Sequence, residues 1–271
     1  MTTSDTARKL GVDEASTPDP STGVLPVGPH WTGFGGAFGG LMVAAAARSM
    51  QQLVPDGRAL RSIHADLLGA VQPGELVFDP SVDRVGRSVT FASTAGSQAG
   101  RDRIVATAVF GDTAAGPAYG PITRAVRPDA PPVAEVPTWD QGDTPALRMI
   151  DYKPASATLP LQGGAGANAD FHVWMRVAED DAPIDAARAL ALLDAPAPGL
   201  YATVTTPFPI PTVEFTAHLL PALESTATPW ALARMQTVVA AEGYSIDDCE
   251  LWNEEGELIA MARQLRRAIV L

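Results

Sequence analysis

Disulfides are the first thing the sequence rules out: it has one cysteine, Cys249, so no bridge can form within the chain. Histidine is scarce too. The four present, His30, His64, His172 and His218, are scattered with no metal-ligand spacing, so no metal or other cofactor is expected. No apolar run approaches the ~18 residues of a membrane-crossing helix. Positive charge is in deficit: 19 Lys and Arg against 31 Asp and Glu leave a formal net charge of −12. That field disfavours nucleic acid or an anionic membrane as a partner, and an anionic small molecule would need a local basic patch. A G-x-S-x-G nucleophile elbow is missing, and Cys249 has no defensible histidine partner. The opening residues, MTTSDTARKLGVDEASTPDPSTG, are polar and of mixed charge, unlike a secretory signal. They predict a mobile tail over 1–22 and a cytoplasmic protein.

What is present is an apolar fraction of 46% in 271 residues, enough for one large domain or two ordinary ones. The stretch from Gly33 to Met50, GFGGAFGGLMVAAAARSM, sets glycines ahead of an alanine-rich run. A dinucleotide fingerprint fails because Phe38 stands where its third glycine belongs. A phosphate loop fails because Gly40 is followed by Leu41 rather than lysine. The preceding LPVGPHWT is broken by prolines and makes no convincing buried strand. Proline-free LMVAAAARSMQQL predicts a helix whose small residues lie close on a sheet, with the glycines permitting tight approach at its start. The N–H groups of that start can hold a carbonyl oxygen as it becomes negative, although a plain turn before a core helix would read the same way.

Proline-rich residues 113–145 read as a linker or a long surface crossing between segments 23–112 and 146–271. In both segments a helix is followed by runs with the period-2 pattern of antiparallel strands. The first has RSIHADLLGAV, GELVFDPSVDRV, SVTFASTAGSQ and DRIVATAVFG. The second has FHVWMRV before the helix IDAARALALLDA, then PTVEFTAHLLPAL, WALARMQTVVAAEG, YSIDDCELWNE and GELIAMARQLRRAI. IHADLLGAV (63–71) superposes on FTAHLLPAL (215–223), and RIVATAVF (103–110) on ELIAMARQ (257–264), so the chain contains two copies of one unit. Each copy is one helix wrapped by a curved antiparallel sheet, an α+β arrangement.

Two residues break a local rule. Asp194 ends the helix IDAARALALLDA, where a carboxylate opposes the macrodipole, and helical spacing puts it on the side of Ala187 and Leu190 that faces the sheet. Such violations cluster at functional sites, while a solvent-facing cap residue is the plain alternative. Gln264 continues the apolar face of Leu258, Ala260 and Ala262, where the first copy has Phe110 after Ile104, Ala106 and Ala108. A buried amide needs partners, so a polar site in the second copy is one reading and a wet strand end the other.

FGGLMVAAAARSM, SIHADLLGAVQPGE, VDRVGRSVTFASTAGSQ and LWNEEGELIAMARQLRR, in this order and spacing, resemble the double hotdog acyl-CoA thioesterases, the thioesterase II group in particular, over roughly 25–112 and 150–271. The resemblance implies a tandem hotdog, hydrolysis of acyl-CoA without a covalent nucleophile, and association into a homo-oligomer. It also implies that Asp194, Thr212 and Gln264 together hold the attacking water, with Thr203, Thr205, Thr206 and Thr216 as neighbours of the least distinctive match, Thr212. Thioester hydrolysis needs such a water, an acceptor for its proton and donors for the oxyanion.

For the phosphates of a CoA substrate the basic candidates are Arg84, Arg87, Arg101 and Arg103 in the first copy and Arg263, Arg266 and Arg267 in the last strand. Arginines at strand ends also serve solubility alone. Phe208, Trp174, Met175, Trp230 and Met235 are candidates for an acyl tunnel, or plain core. Two alternatives stand beside the hydrolase. A hotdog-type enoyl-CoA hydratase resembles a pattern with paired Asp and His on one loop, which neither copy shows. A non-catalytic acyl-CoA or lipid-binding module would survive loss of Asp194.

Overall fold

The computed structural model describes residues 11–33, 35–55, 57–113, 125–140, 144–156, 163–164, 166, 168–206 and 208–269. The first half runs α1 (Val12–Ala15), β1 (Val24–Val27), a small ribbon of β2 (Thr32–Gly33) and β3 (Gly36–Ala37), then α2 (Gly39–Gln51). Four long strands follow: β4 (Arg58–Leu67), β5 (Gly74–Val85), β6 (Val89–Gln98) and β7 (Arg101–Asp112). The second half begins with β8 (Ile150–Pro154) and β9 (Asp170–Val177), continues through α3 (Ala186–Asp194), and closes with β10 (Thr212–Leu219), β11 (Ala231–Ala241), β12 (Tyr244–Trp252) and β13 (Leu258–Arg267).

Eleven strands form one antiparallel sheet in the order β1-β5-β6-β7-β4-β10-β13-β12-β11-β9-β8. The halves meet where β4 pairs with β10, and the register there is symmetric. Ile63 faces Ala217 and Ala65 faces Phe215, pairs that exchange when 63–71 is laid on 215–223. Alternation does the folding work. Ile104, Ala106, Ala108 and Phe110 point inward from β7, as do Ala260, Ala262 and Gln264 from β13. Leu258 leaves the expected inner face: a register shift at Trp252 turns it to the outside, and Ile259 fills the interior instead.

The inner face wraps α2 and α3, which lie side by side and antiparallel. A Cβ on Gly40, near the start of α2, would stand 2.8 Å from the Leu190 carbonyl oxygen near the end of α3. At the other end Arg48 of α2 reaches Asp185, which caps the start of α3. Alanines 44–47 of α2 and Ala187, Ala189 and Ala191 of α3 are buried, the small residues that let two helices share one sheet.

Two expectations are corrected here. Residues 1–10 lie outside the described residues, but 11–22 do not form a free tail. Val12 and Ala15 are buried, and Asp13 is paired with Arg48 and Arg188 across both helices. The proline-rich 113–145 stretch is not a bare linker either, although 114–124 and 141–143 lie outside the described residues. Residues 125–136 strap the outer face of the second half. The Trp174 indole donates to the Pro131 carbonyl at 2.9 Å, and Val136 packs with Trp174, Leu232 and Trp252. Apolar residues on the outer face of this half need that cover.

Candidate active site

Asp194, the last residue of α3, is largely buried, its side chain 9% exposed, and faces the start of α2. Phe38 at the N-cap of α2 offers no side-chain acceptor, and Asp194 takes that place. Its Oδ2 accepts the Gly40 N–H at 2.7 Å. The carboxylate that opposes the dipole of its own helix therefore sits on the positive end of the other. The glycines make the approach sterically feasible. A Cβ on Gly39 would lie 2.8 Å from Asp194 Oδ2, and one on Gly40 2.8 Å from the Asp194 Cβ.

Gln264 is fully buried, which removes the wet-strand reading. Its Nε2 donates to the Leu193 carbonyl at 3.2 Å, so its Oε1 faces Thr212, whose hydroxyl donates to it at 2.7 Å. The carbonyl of Leu193 fixes this orientation, because a flipped amide would set two oxygens against each other. Thr212 also neighbours Asp194. Its single hydroxyl proton faces two acceptors, Gln264 Oε1 and the Asp194 carboxylate. The structure thus brings Asp194, Thr212 and Gln264 together.

Burial pushes the Asp194 carboxyl above the usual range, against Arg266, the Gly40 N–H and Thr212, which pull it down. Around it, Tyr152 donates to the Ala195 carbonyl at 3.0 Å, and burial raises both this phenol and the Cys249 thiol, keeping them neutral. A carboxylate lifted towards neutrality beside an ordered acceptor suits general-base work on a water.

The arginines separate. Arg84 and Arg87 are exposed near the β5–β6 turn. Arg58, which follows α2, donates to the Gly86 and Arg87 carbonyls, so this turn stands at the end of α2 away from Asp194. Arg263 points outward and is held by both oxygens of Asp248 at 2.7 Å. Arg266 points inward, 5% exposed, with its Nε 2.8 Å from Asp247 Oδ2 and its NH2 3.9 Å from Asp194 Oδ1. A buried, carboxylate-held guanidinium does not reach phosphates in solvent. Arg266 was thus expected in the wrong role, and period 2 along β13 was the available signal: if Gln264 is inside, so is Arg266. Arg103 does stand at the α2-start end, where its carbonyl accepts the Leu68 N–H after β4. The tunnel candidates also split: Met175 and Met235 are buried in the main core, while Trp174 and Trp230 belong to the outer cluster.

One contrast escaped sequence reading. The offset that lays 63 on 215 lays Leu60 on Thr212, and Leu60 is the register partner of Phe110. In the second half the partner of Thr212 is Arg266, and Gln264 pairs with Phe215 as Ala108 does with Ile63. The register thus corrects the counterpart of Gln264 from Phe110 to Ala108, and sets Leu60, Phe110 and Ala108 against Thr212, Arg266 and Gln264.

Family comparison agrees with this division of the chain. An acyl-CoA thioesterase N-terminal domain family matches residues 27–111, and an acyl-CoA thioesterase C-terminal domain family matches 127–267. The chain belongs to the acyl-CoA thioesterase family. The C-terminal match begins inside the strap. No curated protein matches this thioesterase-family chain. Among solved structures it is similar to a conserved hot dog fold protein of unknown function from Alicyclobacillus acidocaldarius, with 24% identity and a TM-score of 0.86 over 96% of this chain and 98% of that one. It is also similar to a provisionally named thioesterase II from Thermobifida fusca YX, at 21% identity and a TM-score of 0.80 over 96% and 97% of the two chains. A third is the acyl-CoA thioesterase II TesB2 from Mycobacterium marinum, at 18% identity and a TM-score of 0.74 over 96% and 99%. These likenesses establish a hotdog fold.

Proposed function

We propose that the chain is a tandem-hotdog thioesterase that hydrolyses acyl-CoA to the free acid and CoA at one site, built on Asp194, Thr212 and Gln264. The observation that carries this reading is the Asp194 carboxyl, pushed up by burial, with the Thr212 hydroxyl and the buried Gln264 amide beside it. A water held at these three groups donates one hydrogen to Asp194 and keeps a lone pair for attack. As its oxygen bonds to the thioester carbonyl carbon, Asp194 takes a proton. Collapse of the tetrahedral adduct breaks the C–S bond, and the departing thiolate takes that proton back. The Gly40 N–H is already committed to Asp194, so it is not the oxyanion donor. Family membership supports acyl-CoA as the substrate class.

The test is thiol release from acyl-CoAs of increasing chain length, with wild type beside Asp194→Asn. Turnover that falls about 100- to 10,000-fold in the variant supports the reading. Equal turnover in both removes Asp194 from the chemistry, and release from no acyl-CoA favours a binding module.

A further inference from the structure

Two carboxylates and one guanidinium share the interior beside the proposed water. Asp247 is fully buried on β12, and its Oδ1 accepts the Thr237 hydroxyl. Its Oδ2 lies 2.8 Å from Arg266 Nε, an ion-pair contact rather than an aligned hydrogen bond. Arg266 extends from there towards the end of α3. Among the described residues its NH2 has no hydrogen-bond partner, and the nearest opposite charge at that side is Asp194 Oδ1, 3.9 Å away. A guanidinium cannot give up its proton, so its charge persists at any working pH. Holding such a group inside without a full set of acceptors is unfavourable for folding alone.

We propose that Arg266 is a positioning residue for Asp194: anchored by Asp247, its guanidinium keeps Asp194 ionised in a place where burial would otherwise neutralise it. The other groups facing Asp194 cannot substitute. Tyr152 from β8 and Cys249 from β12 are kept neutral by burial, and the Gly40 N–H from α2 and the Thr212 hydroxyl from β10 supply dipoles, not charge. Arg266 is the largest of the influences that pull the Asp194 carboxyl down. The inference rests on the hydrolytic reading only for its kinetic readout.

The direct measurement is the pH titration of the Asp194 carboxyl carbon by NMR, its resonance assigned by its absence in Asp194→Asn. The variants are Arg266→Gln and the double variant Arg266→Gln/Asp247→Asn. The double variant removes the buried carboxylate that Arg266→Gln leaves unpaired at position 247 and protects the test against a misfolded single variant. In either, the Asp194 midpoint is expected to move up by about one to three pH units, and Arg266→Lys to recover part of that shift. The acid limb of kcat/KM for acyl-CoA hydrolysis should move by the same amount, with the high-pH plateau kept. An unchanged midpoint in a folded charge-free variant overturns the inference. A shifted midpoint with turnover indifferent to Asp194→Asn keeps it and overturns the catalytic reading instead.

Discussion

The two ends of the α2–α3 pair are built from similar parts and put to opposite uses. At one end Arg188 is held by Asp180, Asp185 and Asp13, with Arg48 beside them, and the bond from Arg188 draws the Asp13 carboxyl below the usual range. Every charge there has a close partner of the other sign. At the other end Asp194, largely buried, accepts the Gly40 N–H but has its opposite charge, Arg266, 3.9 Å away, and its carboxyl is pushed up. Below the helices the sheet repeats the contrast, with Leu60, Ala108 and Phe110 in one half and Thr212, Gln264 and Arg266 at the matching positions of the other. Satisfied charges clasp the fold, whereas an under-satisfied carboxylate stays reactive. Among the described residues, only the second half sets Thr212 and Gln264 beside its helix-end carboxylate.

The strongest way to break that contrast is to make the second half resemble the first. Gln264→Ala deprives Thr212 of its acceptor, and kcat/KM for acyl-CoA hydrolysis is expected to fall at least about 100-fold. The reverse change, Ala108→Gln, should leave turnover intact and cost about 1–3 kcal/mol in urea denaturation, because the amide is crowded and finds no designed partner. Turnover indifferent to Gln264→Ala would dissolve the distinction between the halves.

A smaller effect is expected where the helices touch. Gly40→Ala places a methyl 2.8 Å from both the Asp194 Cβ and the Leu190 carbonyl oxygen. Crowding of this kind costs about 1–3 kcal/mol, and displacement of the carboxylate should lower kcat/KM about 10-fold or more. Loss of stability with full activity would mean that the Gly40 contact serves packing alone. Smallest of all, Arg48→Met removes a half-exposed member of the clasp at the far end. The urea midpoint should show a loss of at most about 1 kcal/mol, with kcat/KM unchanged. A fall in activity comparable to that of Gly40→Ala would show that the clasp takes part in the site.

Much of this was legible in the chain. Period-2 runs such as GELVFDPSVDRV and DRIVATAVFG are the strands β5 and β7, because one face of each is buried. Asp194 and Gln264 stood out as polar residues at positions whose pattern demanded apolar ones. The short α1 was hidden because four residues carry no period, and the strap because irregular chain has none. Arg266 was grouped with Arg263 and Arg267 by adjacency, although alternation sends it to the other face.

The amino-acid sequence by itself determined the two copies, the strands with their inner faces, and the helix that ends in a carboxylate, since these follow from periodicities of two and 3.6 that a linear chain can express. Only the tertiary structure decided that Asp194 would cap α2, and that Asp247 would aim Arg266 towards it. Those contacts join residues more than 150 positions apart in one case and neighbouring strands in the other, and their energies depend on burial and on distances that exist only once the sheet has closed around both helices.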